Sequence, residues 1–161
     1  MNELQRTLIS NGVGAPPGHV LEAVEDAMAQ RRYPGAPHSI YEEVWHLAFW
    51  QDLSLDWIDG KATPYPEHAA AGFPTSTDES WAEVRERFLH GVQRAVEVAG
   101  DAARMDASVV CLSRNPEPPR TMSVREQIEG VAAHNAYHLG RVVLLRQLSG
   151  AWPPPSGGDT W

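Results

Sequence analysis

The sequence predicts an all-α fold, a four-helix bundle with a short extra helix at its N-terminus, in one domain covering residues 1–161. Three observations predict it. Helix-start signatures, a Ser followed three residues later by Glu, stand before apolar runs at Ser39/Glu42 and Ser123/Glu126, and a further one is read at Ser76-Thr77-Asp78-Glu79. Behind each start the apolar residues recur at intervals of three and four, the spacing that lines one face of an α-helix. No segment alternates apolar with polar residues for long enough to make a convincing strand.

Taken in order, residues 2–10 carry Leu4 and Leu8 at a helical interval and stop at Asn11-Gly12, a pair suited to a left-handed cap. Residues 13–18, with Pro16 and Pro17, read as a loop. From His19 the pattern resumes with Leu21, Val24 and Met28 opposite Glu22, Glu25 and Asp26, an amphipathic helix that ends before Tyr33-Pro34-Gly35. The next helix, capped by Ser39 and running to Gly60, holds Val44, Trp45, Leu47, Phe49, Trp50, Leu53, Leu55, Trp57 and Ile58. That is too much for one stripe, so the helix is expected to be buried on several sides or partly covered by a second subunit.

Residues 61–75 contain Pro64, Pro66, Gly72 and Pro74 and form a loop long enough to act as a lid or rim. Trp81, Val84, Phe88, Val92, Ala95 and Ala99 then make an amphipathic helix with Gly100 just past its end, on which His90 reads as a solvated side chain. Residues 101–122 read as an irregular connection, with Val109-Val110-Cys111-Leu112 a candidate extended segment over the bundle. The last and longest helix begins at Ser123 and runs to Ser149-Gly150. Residues 151–161 form a Pro- and Gly-rich tail expected to lie against the bundle through Trp152.

Composition narrows the function classes. Thirteen Lys and Arg against 21 Asp and Glu leave a net charge of −8 with no basic segment, which argues against a surface that tracks phosphates and so against nucleic acid as partner. No run of about 18 apolar residues is present to span a membrane, and residues 1–10 lack the pattern of a targeting peptide. A single cysteine, Cys111, cannot form an intramolecular disulfide, so a reducing, cytoplasmic setting is expected, with Cys111 a small core residue.

The chemistry concentrates in His134-Asn135-Ala136-Tyr137-His138. Side chains four apart share a helix face, so both imidazoles can reach one metal ion. With His138 at the centre of the inward face, Val131, Val142 and Leu145 fall beside it, and so do Gln127, His134, Asn135 and Arg141. Burying such polar groups without partners costs roughly 1–3 kcal/mol each, so a seam that is wet in its middle and dry at its C-terminal end (Val142, Leu145, Leu148) implies a cavity in the bundle. A third ligand is available on the aromatic helix at His46, with Glu43 one turn before it. Three imidazoles leave positions open to water or substrate, as catalytic sites do, and suit Zn, Ni, Fe or Cu. On the residues alone a core-histidine hydrogen-bond network explains the pattern equally well. Glu43 reads as a solvated surface charge.

The stretches Pro37-His38-Ser39-Ile40-Tyr41-Glu42-Glu43-Val44-Trp45-His46-Leu47, with Trp50 and Asp59-Gly60, His134-Asn135-Ala136-Tyr137-His138-Leu139-Gly140-Arg141, and Leu145-Arg146-Gln147-Leu148-Ser149-Gly150-Ala151-Trp152-Pro153-Pro154 resemble the DinB-like (DinB/YfiT) superfamily of bacterial proteins over nearly the whole chain. The resemblance implies a four-helix bundle of unusual connection order, frequent homodimers, and a divalent metal (Zn, Ni or Fe) held by His46, His134 and His138. Many relatives carry Gln where this chain has Arg141; a cation there would favour anionic ligands unless it pairs with a carboxylate. Members of the family include transferases using low-molecular-weight thiols, a maleylpyruvate isomerase branch, and many without assigned activity. Two functions are therefore expected: a metal-dependent enzyme in which the ion lowers the pKa of a bound water or thiol, acting as hydrolase or thiol S-transferase on an unidentified small molecule, or a non-catalytic dimeric helical protein with a structural or vestigial metal site.

Overall fold

The computed structural model describes residues 1–10, 14–75, 78–114 and 116–157. It is mostly helical, in the order α1 (Glu3–Leu8), α2 (Pro17–Val20), α3 (Asp26–Gln30), α4 (Ile40–Ile58), α5 (Trp81–Gly100), β1 (Ser108–Cys111), β2 (Arg120–Ser123) and α6 (Val124–Leu148), with a single 3-10 turn at Ala69–Gly72 before α5.

The strongest start signals hold. At α4 the Ser39 hydroxyl accepts from the Glu42 amide and the Glu42 carboxylate accepts from the Ser39 amide; Ser123 and Glu126 do the same for α6. A third box of this kind opens α1, from Asn2 and Gln5. The box expected at Ser76/Glu79 is corrected. The cap of α5 is Ser80, whose partner is Glu83, because only Ser80 stands directly before the first helical residue, Trp81. Ser76 and Thr77, like Asn11, Gly12, Val13, Asn115 and residues 158–161, lie outside the described residues.

The continuous helix expected from His19 is instead two short pieces, and the first begins earlier, at Pro17, where a missing N–H does no harm. Three carbonyls at the break bond to side chains of the long helices. Arg146 Nη1 donates to Val20 O at 2.6 Å, Arg85 Nε to Leu21 O at 3.3 Å, and Trp81 Nε1 to Val24 O at 2.6 Å, while Ala23 turns the chain through a positive φ of 53°. Among the described residues the long helices are thus α4, α5 and α6, and α2 and α3 are short.

The reading without a sheet is also corrected. β1 and β2 pair antiparallel, Val109 opposite Met122 and Cys111 opposite Arg120. The apolar run at 109–112 does extend, as read, with Val109 and Cys111 inward and Val110 outward. Ser123 ends this ribbon and caps α6 in the same residue, which ties the hairpin to the start of the longest helix.

Helix α4 lies between α5 and α6. Its contacts with α5 advance together along both chains (Asp52 with Arg87, Asp59 with Arg94), so the two run parallel, and the long connection 59–80 must return the length of the molecule. With α6 the order reverses, Glu43 meeting His138 and Gln51 meeting Asn135, so that pair is antiparallel. Two apolar clusters result. One gathers Val44, Leu47, Phe88, Val142 and Leu145 under α2 and α3. The other gathers Leu55, Ala95, Ala99, Ile128 and Val131 under α1 and the hairpin. Between them sit Glu43, His46, Gln51, Gln127, Asn135 and His138, all buried. The expected dry C-terminal end of the seam needs revision, for Leu148 is exposed and Arg146 is buried, capping the open carbonyl of α2 and lying over the Trp152 ring. The tail does pack through Trp152. No helix among the described residues is long and apolar enough to cross a membrane.

Candidate metal centre

The three histidines singled out by sequence come together. His46 reaches inward from the middle of α4, and His134 and His138 from one face of α6, with one ligand nitrogen of each ring within 4.8 Å of the others. His46 Nε2 lies 3.1 Å from His134 Nε2. Three imidazole nitrogens this close together could share one ion.

Two of the rings are oriented from behind. His46 Nδ1 is 2.8 Å from the Gly72 carbonyl, which can only accept, so the ring proton sits there and Nε2 keeps its lone pair. His138 Nδ1 donates to Glu43 Oε2 at 2.6 Å, again freeing Nε2. A carboxylate or carbonyl behind each imidazole is the arrangement by which proteins fix the tautomer and raise the basicity of metal-binding histidines. Donor type, tautomer and convergence therefore fit a divalent transition ion.

Glu43 overturns its own reading as a solvated charge. It is fully buried, and its second oxygen lies 2.9 Å from Arg141 Nη2. Arg141 thus pairs with a carboxylate of the site instead of projecting as a free cation. The signal for Glu43 was present in its spacing, one helical turn from His46 on the same inward arc. What the spacing could not supply was the partner, which arrives from α6.

The connection at 61–75 is part of the site. Gly72 supplies the carbonyl to His46, and Phe73 lies flat on the His46 ring at 4.0 Å with His38 stacked on its far side at 3.8 Å. A Cβ at Gly72 would come within 2.5 Å of Trp50 Nε1, so the close approach of this carbonyl requires glycine. These residues carried no metal signature in the sequence. The excess apolar surface of α4 is mostly absorbed within the chain: Trp50 and Trp57 meet Tyr65, and Trp45 donates to Glu79 and lies under Arg87.

Burial pushes both His46 and His134 down to about 4, with neighbouring imidazoles adding to the effect. Both are therefore neutral at pH 7, and a metal ion need not displace a proton charge from either. Around them, Asn135 Nδ2 donates to Gln51 Oε1 and Gln51 Nε2 to Phe88 O, each at 3.0 Å. Gln127 donates to Cys111 Sγ, whose thiol burial pushes up, as suits a core residue. His90 is exposed, as its position on α5 suggested.

Against known families, the model of the DinB superfamily matches residues 19–142, from α2 to the C-terminal half of α6. The chain belongs to the DinB superfamily. The matched span contains all three histidines, Glu43 and Arg141, so the resemblance read from the HxxxH helix and the Ser39 helix is correct at the level of the family. No curated protein matches the sequence.

Proposed function

We propose that this DinB-superfamily protein is a metal-dependent enzyme whose divalent ion is held by His46, His134 and His138. The observation that carries the reading is the convergence of three imidazoles with Nδ1 of His46 and of His138 committed to Gly72 and Glu43. A divalent ion bound there supplies Lewis acidity, lowering the pKa of a water or thiol so that a nucleophile exists near neutral pH. The rest is the work of this chain's own groups. Glu43 and Arg141 hold His138 in orientation, Gly72 holds His46, and Phe73 with Trp50 excludes water from the His46 side. Hydrolysis and thiol transfer are the reaction classes this supports, on a small molecule, in the cytoplasm. The reading includes the family's four-helix arrangement, with α2 and α3 forming the fourth leg.

The test is metal content. Protein purified without added metal is expected to carry close to one equivalent of a divalent ion per chain, and His134→Ala and His138→Ala are expected to lose it. Equal, low metal in all three would mean that the cluster is a hydrogen-bond network and that the enzyme reading fails. A second reading, a non-catalytic homodimer with a structural metal site, draws on the partly exposed Trp45–Phe49 stack on α4. Under it, Phe49→Glu yields monomer while metal content is unchanged.

A further inference from the structure

Beside His134 a cleft of about 230 Å³ opens between α4, α6, β2 and the 61–75 connection. It has room for about eight waters, or a ligand of similar bulk. We propose that this cleft is the substrate site and that it takes a small, neutral, planar molecule carrying a hydroxyl or N–H donor. The proposal rests on reading the neighbouring histidines as the reactive centre, and it names what that centre acts on.

Three aromatic side chains, Trp50, Trp57 and Tyr65, form one wall. The Trp57 and Tyr65 rings are stacked nearly parallel, 14° apart with centroids at 6.3 Å, and Trp57 Nε1 is already used on Thr63 O at 2.8 Å. That wall therefore offers chiefly ring surface, which favours a flat apolar body. Arg120 and Glu126 also line the cleft, one cation and one anion, so the lining has no net charge with which to select an ion.

The floor is polar and has a fixed sense. The Phe88 carbonyl can only accept, so it takes Gln51 Nε2; Gln51 Oε1 must then accept, and it takes Asn135 Nδ2. Asn135 Oδ1 is left as an acceptor, 2% exposed as a residue and without a donor among the described residues. The Gln51 amide cannot swing away to relieve this, because it is wedged against Gly91, where a Cβ would lie only 2.0 Å from Nε2. A buried acceptor beside His134 on the cleft lining is a place for a ligand donor, and a site built to pair with a donor discriminates against the analogue that lacks it.

Gly130 allows a clean test, since a Cβ there meets nothing within 4 Å and the residue lines the cleft. The full-length protein, stripped of metal so that no ligand can bind through an ion, is titrated with phenol and with anisole, which differ by one donor, and binding is followed by tryptophan fluorescence and amide chemical shifts. Phenol is expected to saturate and to bind about fivefold or more tightly than anisole. Asn135→Leu is expected to erase that preference, and Gly130→Leu to weaken both probes at least tenfold with no fall in melting temperature. Equal affinities for the two probes, no saturable binding, or binding indifferent to Gly130→Leu would each overturn the proposal. Should Asn135→Leu fail to fold, the probe pair and the Gly130→Leu variant still decide. Because the titration is done without metal, its outcome is separate from that of the metal analysis.

Discussion

A single buried carboxylate decides how firmly the histidine cluster is organised. Glu43 is fully buried and has two partners, His138 and Arg141, so it stays paired only while both are in place. Glu43→Gln keeps the shape but weakens the acceptor behind His138; the expected loss is about 10- to 100-fold in metal affinity, read by competition with a chromophoric chelator. Protonation acts on the same residues from the other side. The folded-state values of His46 and His134, about 4, lie below the ordinary 6.5, so the unfolded chain binds more protons between those limits. Stability of the metal-free protein is therefore complete above about pH 6.5 and falls as pH drops from there toward 4. Urea denaturation at pH 7.5 and 5 is expected to give a lower midpoint at pH 5, and His46→Leu is expected to flatten the difference.

Among the elements, the short α2–α3 pair shows how tertiary demand overrides a helical pattern. Residues 19–30 have the right periodicity, yet the carbonyls of Val20, Leu21 and Val24 bond to Arg146, Arg85 and Trp81, and a straight helix would leave those donors unpaired. Helix α5 is a milder case, in which two Ser/Glu signatures compete and the one adjacent to Trp81 is used. Ser80→Ala removes an acceptor for the Glu83 amide and is expected to cost about 1 kcal/mol in chemical denaturation. The connection after α4 behaves as a rim pinned to the centre, through Gly72 and Phe73. Gly72→Ala drives a methyl against Trp50 and is expected to destabilise by about 1–3 kcal/mol, and to lower metal affinity because the His46 acceptor moves with it.

At the scale of the whole molecule, antiparallel α4 and α6 bring their buried polar side chains to the same level, so that Glu43, His46, Gln51, Asn135 and His138 meet between two apolar clusters. An ion bound there crosslinks α4 to α6 and stabilises the folded state by mass action. Adding a tenfold excess of a tight chelator to metal-loaded protein is expected to lower the melting temperature by several degrees, and the same treatment of His138→Ala to change nothing.

Sequence by itself determined the family, the mostly helical character, the Ser39 and Ser123 starts and the identity of the three histidines. These are local properties: caps involve residues three apart, helix faces repeat every three or four residues, and HxxxH needs only one turn. Only the tertiary structure decided the partners. Glu43 became a buried partner of the histidine cluster because His138 and Arg141 arrive from a helix some 95 positions along the chain. Gly72 became an acceptor because the long connection must return beside α4, the hairpin formed because residues 108–111 found a mate at 120–123, and Arg146 was buried because α2 ends over it with an open carbonyl. Contacts between distant segments depend on which faces meet, and periodicity within one segment does not encode that.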